Sequence, residues 1–166
     1  MERARSRLDR RSPRLAGYNY FQAGLYFVTI CTHDPASMLG EVRDGEMHPS
    51  GAEIAIDLAW TALPDRFPGV GLDACMVMPD HLHGIVMLGH DPDLPSPCTI
   101  PNLAAVLRTF KPVSGIAGNR LLGRSGRPFW QRSYFDRIIR NERELTLIRD
   151  YIDGNPARWM EEPDSS

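Results

Sequence analysis

Two runs rich in apolar and β-branched residues, Val70 to Met78 and Leu82 to Leu88, are separated only by Pro79-Asp80-His81. A link that short joins antiparallel neighbours, because a parallel crossover needs a dozen residues or more. Successive strand residues point to opposite faces, so His81 and His83 share one face of the sheet. Two imidazoles converging above a sheet are a metal-site candidate, since neutral imidazole is the commonest protein metal ligand. A pair of hydrogen-bonded surface histidines is the other reading of the triplet.

The rest of the chain surrounds that hairpin with alternating strands and helices. Gly24 to Thr32 is aromatic and β-branched and predicts a central strand. Asp44-Gly45 is a strong hairpin signal between Met38–Val42 and Glu46–His48. Ser50 is an N-cap candidate for a helix through Ile54, Ile56, Leu58, Ala59, Ala62 and Leu63, ending before Pro64. Prolines at 92, 95, 97 and 101 predict a stiff loop. Asn102 is placed to cap a second helix that ends at Lys111-Pro112, with a mobile Gly-rich stretch from Ser114 to Gly126. Phe129 to Ile139 predicts a strand, and Glu142 to about Gly154 a third helix with Leu145, Ile148 and Ile152 on one face. This βαββαβ order predicts an α+β fold: a ferredoxin-like, mostly antiparallel sheet with helices on one face and the histidine strand near its centre. The 166 residues suit one domain, with residues 1–14 as a basic arm and 160–166 as a frayed tail.

Charge is segregated along the chain. Residues 1–33 carry net +4, residues 34–93 net −9 and residues 94–166 net +3, and 18 of the 19 basic residues are arginine. Arginine forks onto phosphate and stacks on bases, so the segregation points to nucleic acid. A GC-rich genome accounts for the Arg-to-Lys ratio but not for the clustering. The cysteines at 31, 75 and 98 form no CxxC, which predicts a reduced, cytoplasmic protein without a thiolate zinc site. No apolar run approaches a membrane span, and the charged start is not a secretory signal.

Near the C-terminus, Tyr151 and Asn155 stand four residues apart, which on a helix places them on one face. That face borders the apolar stripe of Leu145, Ile148 and Ile152, so Tyr151 is expected to be partly exposed. A core-edge tyrosine beside an Asn-Pro helix stop fits the same residues.

Met78-Pro79-Asp80-His81-Leu82-His83-Gly84-Ile85 resembles the MPNHxH block of the single-tyrosine transposases. Phe129-Trp130-Gln131-Arg132-Ser133-Tyr134-Phe135-Asp136 and Tyr151-Ile152-Asp153-Gly154-Asn155-Pro156 resemble the WQxxYxD and YIxxNP blocks of its REP-associated branch. Arg14 to Tyr20 before Tyr26-Phe27-Val28-Thr29, and Arg108-Thr109-Phe110-Lys111, are similar to two further segments of that branch. The likeness spans roughly residues 10–158, and the blocks occur in the same order.

That resemblance implies that Tyr151 is a nucleophile forming a 5′-phosphotyrosine on single-stranded, hairpin-flanked DNA. It implies that His81 and His83 bind a divalent metal, Mg²⁺ or Mn²⁺, with Asn155 completing the set. Lys111, Arg132, Arg137 and Arg14 are the first candidates for phosphate contact. Tyr134 is a rival nucleophile, expected instead to be packing. Asp80 stands where the motif has Asn, which predicts a local turn difference rather than a ligand. Single-stranded or hairpin DNA is the expected partner, with no membrane, a homodimer allowed and a cytoplasmic, nucleoid-associated location. The competing readings are a hairpin-binding protein without cleavage and a histidine-metal hydrolase unrelated to DNA.

Overall fold

The computed structural model describes residues 24–34, 38–89 and 101–161, with side chains as far as residue 159. Its main sheet has four strands in the order β4-β5-β1-β6: β1 (Gly24–Cys31), β4 (Val70–Met78), β5 (His81–Leu88) and β6 (Phe135–Ile139). All three pairings are antiparallel. This is the ferredoxin-like strand order, with β5 and β1 at the centre as expected. A hairpin of β2 (Gly40–Arg43) and β3 (Glu46–Pro49) turns at Asp44-Gly45, both residues at positive φ. The basic arm with Arg14, the proline-rich loop, Cys98 and residues 162–166 lie outside the described residues.

Strand β1 is buried on both faces, and its alternation divides the core in two. Tyr26, Val28 and Ile30 join a large cluster with Leu82, Val86 and Leu88 of β5. Ala52, Ile56 and Trp60 of α1 (Gly51–Thr61) and Leu103, Val106, Leu107 and Phe110 of α3 (Leu103–Leu121) complete that cluster. Phe27 points the other way, into a smaller cluster with Ile85, Ile139, Ile148 and Ile152. The last two belong to α4 (Glu142–Asp153), which is followed by α5 (Asn155–Glu161). Thus α1 and α3 share one face, as the sequence predicts, and the C-terminal helix covers the opposite one.

Local signals were overridden in several places. Ser50 precedes α1, but its hydroxyl donates to the Met38 carbonyl and caps nothing. Pro64 sits in the first turn of a short helix α2 (Leu63–Arg66) instead of following the last turn of α1. The second helix does not stop at Pro112, and Ser114 to Leu121 is helical instead of a mobile loop. Tertiary packing explains the extension. A Cβ on Gly115 would lie 3.1 Å from Phe129 and one on Gly118 2.6 Å, so those glycines admit a close ring. The Trp130 indole donates to Ser114 Oγ, which itself donates to Phe110 O. The expected strand from Phe129 shrinks to Phe135–Ile139, with Trp130 forming an isolated bridge to Thr32. Lys111 Nζ takes the Gln131 and Arg132 carbonyls at 2.6 and 2.9 Å, so they are spent on a side chain.

Gly84 follows His83 on β5, opposite Val28, and faces Trp60, where an added Cβ would stand 2.4 Å from Cζ2. Trp60 is 1% exposed and has no room to retreat. Gly84→Ala should therefore lower stability by about 1–3 kcal/mol through overpacking, read as a lower urea midpoint at an unchanged m-value.

Candidate functional site

The antiparallel register places Thr29 opposite His83 and Cys31 opposite His81, on the face that α4 covers. Both imidazoles are buried, at 7% and 4% exposure, so a surface pair is excluded. Their Nε2 atoms stand 3.0 Å apart. Each Nδ1 has its own partner: Asp80 Oδ1 at 2.6 Å for His81, and Thr29 Oγ1 at 2.8 Å for His83. Burial, and then the neighbouring His81, hold the His83 imidazole well below the usual histidine value of 6.5, so it is neutral at physiological pH.

Proton placement follows from those partners. The Asp80 carboxylate is placed to accept from His81 Nδ1–H, and Thr29 Oγ1 from His83 Nδ1–H. With one proton on each Nδ1, both Nε2 atoms would present lone pairs to one point. Two nitrogens each about 2.1 Å from a cation and at roughly a right angle lie about 3.0 Å apart, the spacing found here. A carboxylate behind a ligating histidine is the usual outer-shell support of such a site. Asp80 is the residue that sequence reasoning undervalued: its exchange for the motif's Asn does more than adjust a turn. Its adjacency to His81 was the available signal.

Tyr151 meets this pair directly. Its ring centre is 5.4 Å from that of His83 and 6.2 Å from that of Phe27, both edge-to-face, and the residue is 43% exposed. Trp159 lies two turns on, with its ring centre 5.9 Å from His81. Asn155, one turn from each, is 8% exposed, and its Nδ2 has no hydrogen-bond partner among the described residues. Amide oxygen and nitrogen are interchangeable in assignment, and an orphaned buried amide fits a position whose partner is a bound group. The three aromatic or polar residues Tyr151, Asn155 and Trp159 thus form one stripe facing the histidines. Among the described residues no cluster of three or more His, Cys, Asp or Glu could hold a metal. Any cation here would have two imidazoles, with Asn155 as a third donor, and open positions.

Two contacts unanticipated from sequence hold the tyrosine helix. Arg149 donates to both oxygens of Asp73, at 2.7 and 2.5 Å, tying α4 to the irregular stretch of β4 between Leu72 and Cys75. Arg158 lies with its guanidinium carbon 4.9 Å from the Tyr151 ring centre and donates to the Tyr151 and Asp150 carbonyls. Gly154 makes room for it, since a Cβ there would stand 2.8 Å from Arg158 Nη2.

The other candidates lie apart from the histidines. Lys111 is half-buried, and desolvation lowers its ammonium pKa. Tyr134, the rival nucleophile, packs against the large core cluster with Lys111 Nζ 6.0 Å from its ring centre. Arg132 is exposed beside it. Arg137 is exposed on β6 and pairs with Glu144 at 3.8 Å. Cys31 and Cys75 are free, with burial pushing both thiols up to about 12. No helix among the described residues is long and apolar enough to cross a membrane.

No protein-family model matches the chain. It is 30% identical to an uncharacterized protein of Haemophilus influenzae, over 92% of this chain and 91% of that one. A solved REP-associated tyrosine transposase bound to a REP hairpin superposes with a TM-score of 0.60 at 19% identity, over 86% of this chain and 72% of that one. That likeness is one of fold.

The Arg149 contact, against the opposing effect of burial, holds the Asp73 carboxyl below its ordinary value of 3.8. A depressed folded-state value stabilises the fold above 3.8 and ceases to do so as pH falls through it. Asp73→Asn should therefore be less stable than the native chain at neutral pH. The gap should close below about pH 3.8, and denaturation curves of both proteins down the acid range would reveal it.

Proposed function

This chain belongs to one family with the Haemophilus influenzae protein and has the fold of a REP-associated tyrosine transposase, and from that premise we propose a function. It is a metal-dependent enzyme that nicks and rejoins single-stranded, hairpin-flanked DNA through a 5′-phosphotyrosine at Tyr151. The observation that carries this reading is the half-exposed Tyr151 ring set against a buried pair of imidazoles.

Tyr151 Oη attacks a backbone phosphorus, an O–P bond forms, and the bond to the 3′-oxygen breaks. The phenol proton is lost and the departing 3′-oxygen gains one, so a strand ending in a 3′-hydroxyl leaves and the 5′-phosphate stays on the enzyme. A second 3′-hydroxyl reverses the step, which suits a phenolate because it leaves far more readily than an alkoxide. His81, His83 and Asn155 would hold a divalent cation, which supplies charge stabilisation at the phosphoryl oxygens. Two imidazoles favour Mn²⁺ over the oxygen-seeking Mg²⁺. Asp80 and Thr29 act through the histidines, fixing their tautomers and orientation. Arg158 holds the tyrosine ring from its open face. Tyr151 meets His83 of its own chain, which supports a tyrosine acting within its own subunit. Phosphate contacts would come from Arg132, Arg137 and Lys111, with Arg14 and the basic arm outside the described residues. Action on chromosomal DNA places the protein with the nucleoid.

The test incubates the protein with unpaired and hairpin oligodeoxynucleotides from the flanks of its own gene, with Mn²⁺ or Mg²⁺. A denaturant-resistant protein–DNA adduct is expected, and Tyr151→Phe should abolish it. An adduct that survives this substitution, or none with any flank substrate, overturns the reading.

Cation binding has its own readout. Mn²⁺ affinity, followed by calorimetry without DNA, should fall about 10- to 100-fold in Asp80→Asn, the loss typical of an outer-shell partner, and further in His81→Ala.

A further inference from the structure

Trp159 is the one residue of the histidine-facing stripe that the proposed chemistry leaves without a role. Its ring centre lies 5.9 Å from that of His81, with the planes 36° apart, and the residue is 36% exposed. Among the described residues it joins neither apolar cluster, so core packing does not account for an indole here. A smaller side chain would suit a short surface helix as well and leave less apolar area in water. Trp159 stands four residues beyond Asn155 on α5, and residues at that spacing share a helical face. One short helix therefore carries both the ring against His81 and the amide proposed as third donor.

A helix of seven residues has little stability of its own and takes its position from what it touches. α5 touches α4, β4 and both strands of the β2–β3 hairpin. At the hairpin tip, a Cβ added to Gly45 would stand 3.7 Å from Ala157 Cα and 3.9 Å from its Cβ, so the turn lies against the helix midway between Asn155 and Trp159 in sequence. At the hairpin base, Leu39 N–H donates to the Pro79 carbonyl at 3.1 Å, and Ser50 N–H to the Leu39 carbonyl at 2.9 Å. Pro79 opens the turn that leads through Asp80 to His81. The hairpin adds no strand to the main sheet. It runs instead from the turn that delivers His81 to the helix that delivers Asn155 and Trp159.

We propose that Trp159 is a positioning residue for the cation site. Seated on His81, and carried by a helix that the tip of the β2–β3 hairpin braces, it sets the place of Asn155 relative to the two imidazoles. This rests on the reading of His81, His83 and Asn155 as cation ligands. A cation with so few protein donors depends for its affinity on how well the third is held in place. Coupling between two sites is reciprocal, so a cation between the histidines must in turn steady the hairpin tip.

The test uses the full chain without DNA and Mn²⁺ as the probe. By calorimetry, Trp159→Ala should bind Mn²⁺ about tenfold more weakly than the native protein, the loss typical of an outer-shell partner. Trp159→Phe, which keeps a ring against His81, should recover most of that affinity. Leu147→Ala, which shortens another exposed apolar side chain on the neighbouring helix α4, should leave it unchanged. A paramagnetic cation quenches a nearby indole. Of the three tryptophans, Trp60 and Trp130 lie in the large cluster on the far face of the sheet. Mn²⁺ should therefore quench native fluorescence, and Trp159→Phe should abolish the quenching while the cation still binds. Hydrogen exchange of the amides from Asp44 to Met47 should slow on Mn²⁺ addition in the native chain and stay unchanged in Trp159→Ala, an effect that loss of packing alone would not produce. Native affinity in Trp159→Ala, quenching that persists in Trp159→Phe, or a tip indifferent to the cation overturns the proposal and leaves the histidine site standing. A native chain that binds no Mn²⁺ overturns the cation reading and this role with it. Failure of Tyr151 to form an adduct in the earlier test does not alter these measurements.

Discussion

The antiparallel pairing of β1 with β5 is the constraint on which the remainder depends. Its register sets Thr29 behind His83 and Phe27 flat against the His83 ring, with centres 5.4 Å apart. A one-residue slip would turn every side chain of β5 to the other face. The histidines would then meet the α1 side, where Trp60 leaves space for nothing larger than the hydrogen of Gly84. The same alternation that buries Leu82, Val86 and Leu88 therefore delivers His81 and His83 to the opposite face.

Burying that pair has a cost that the surroundings offset. Polar groups withdrawn from water need hydrogen-bond partners, and each Nδ1 has one, Asp80 or Thr29, while the two Nε2 atoms face each other at 3.0 Å. Asn155 Nδ2 is the exception on this face, a local strain of the kind that marks functional positions. The helix above is held by unlike contacts on its two sides. Ile148 and Ile152 supply apolar anchorage, and the Arg149–Asp73 fork fixes its position along β4. Asp73 can reach because the ladder is irregular between Leu72 and Cys75, the kind of break that re-aims a side chain. Tyr151 is left between these anchors, oriented by its neighbours and open to solvent.

The two faces of the sheet have separate chemical characters. On one, imidazoles, an amide and a phenol are gathered over a small apolar cluster. On the other, α3 and the segment after it form a cationic groove over the larger core. Lys111 shows how that second surface is built. Its burial is tolerated because two carbonyls receive its protons, and those carbonyls are unavailable to a strand as a result.

Periodicity was enough for the shared face of His81 and His83 and for the helix bearing Tyr151, because each follows from repeats of two or 3.6 residues within one segment; turn chemistry marked the hairpin at Asp44-Gly45, and the order of elements along the chain pointed to the sheet. What the local pattern could not reveal was anything decided by a distant partner. Pro112 and the glycines after it read as a helix stop, yet Phe129 and Trp130 fill the space those glycines leave, and the helix continues to Leu121. Phe129 to Tyr134 has strand composition, but its Gln131 and Arg132 carbonyls are claimed by Lys111. Thr29 and Arg149 acquire meaning only through residues 54 and 76 positions away. Sequence thus determined which side chains could share a face. Only the folded chain decided which faces meet, because that depends on close packing and hydrogen-bond partners that no single segment contains.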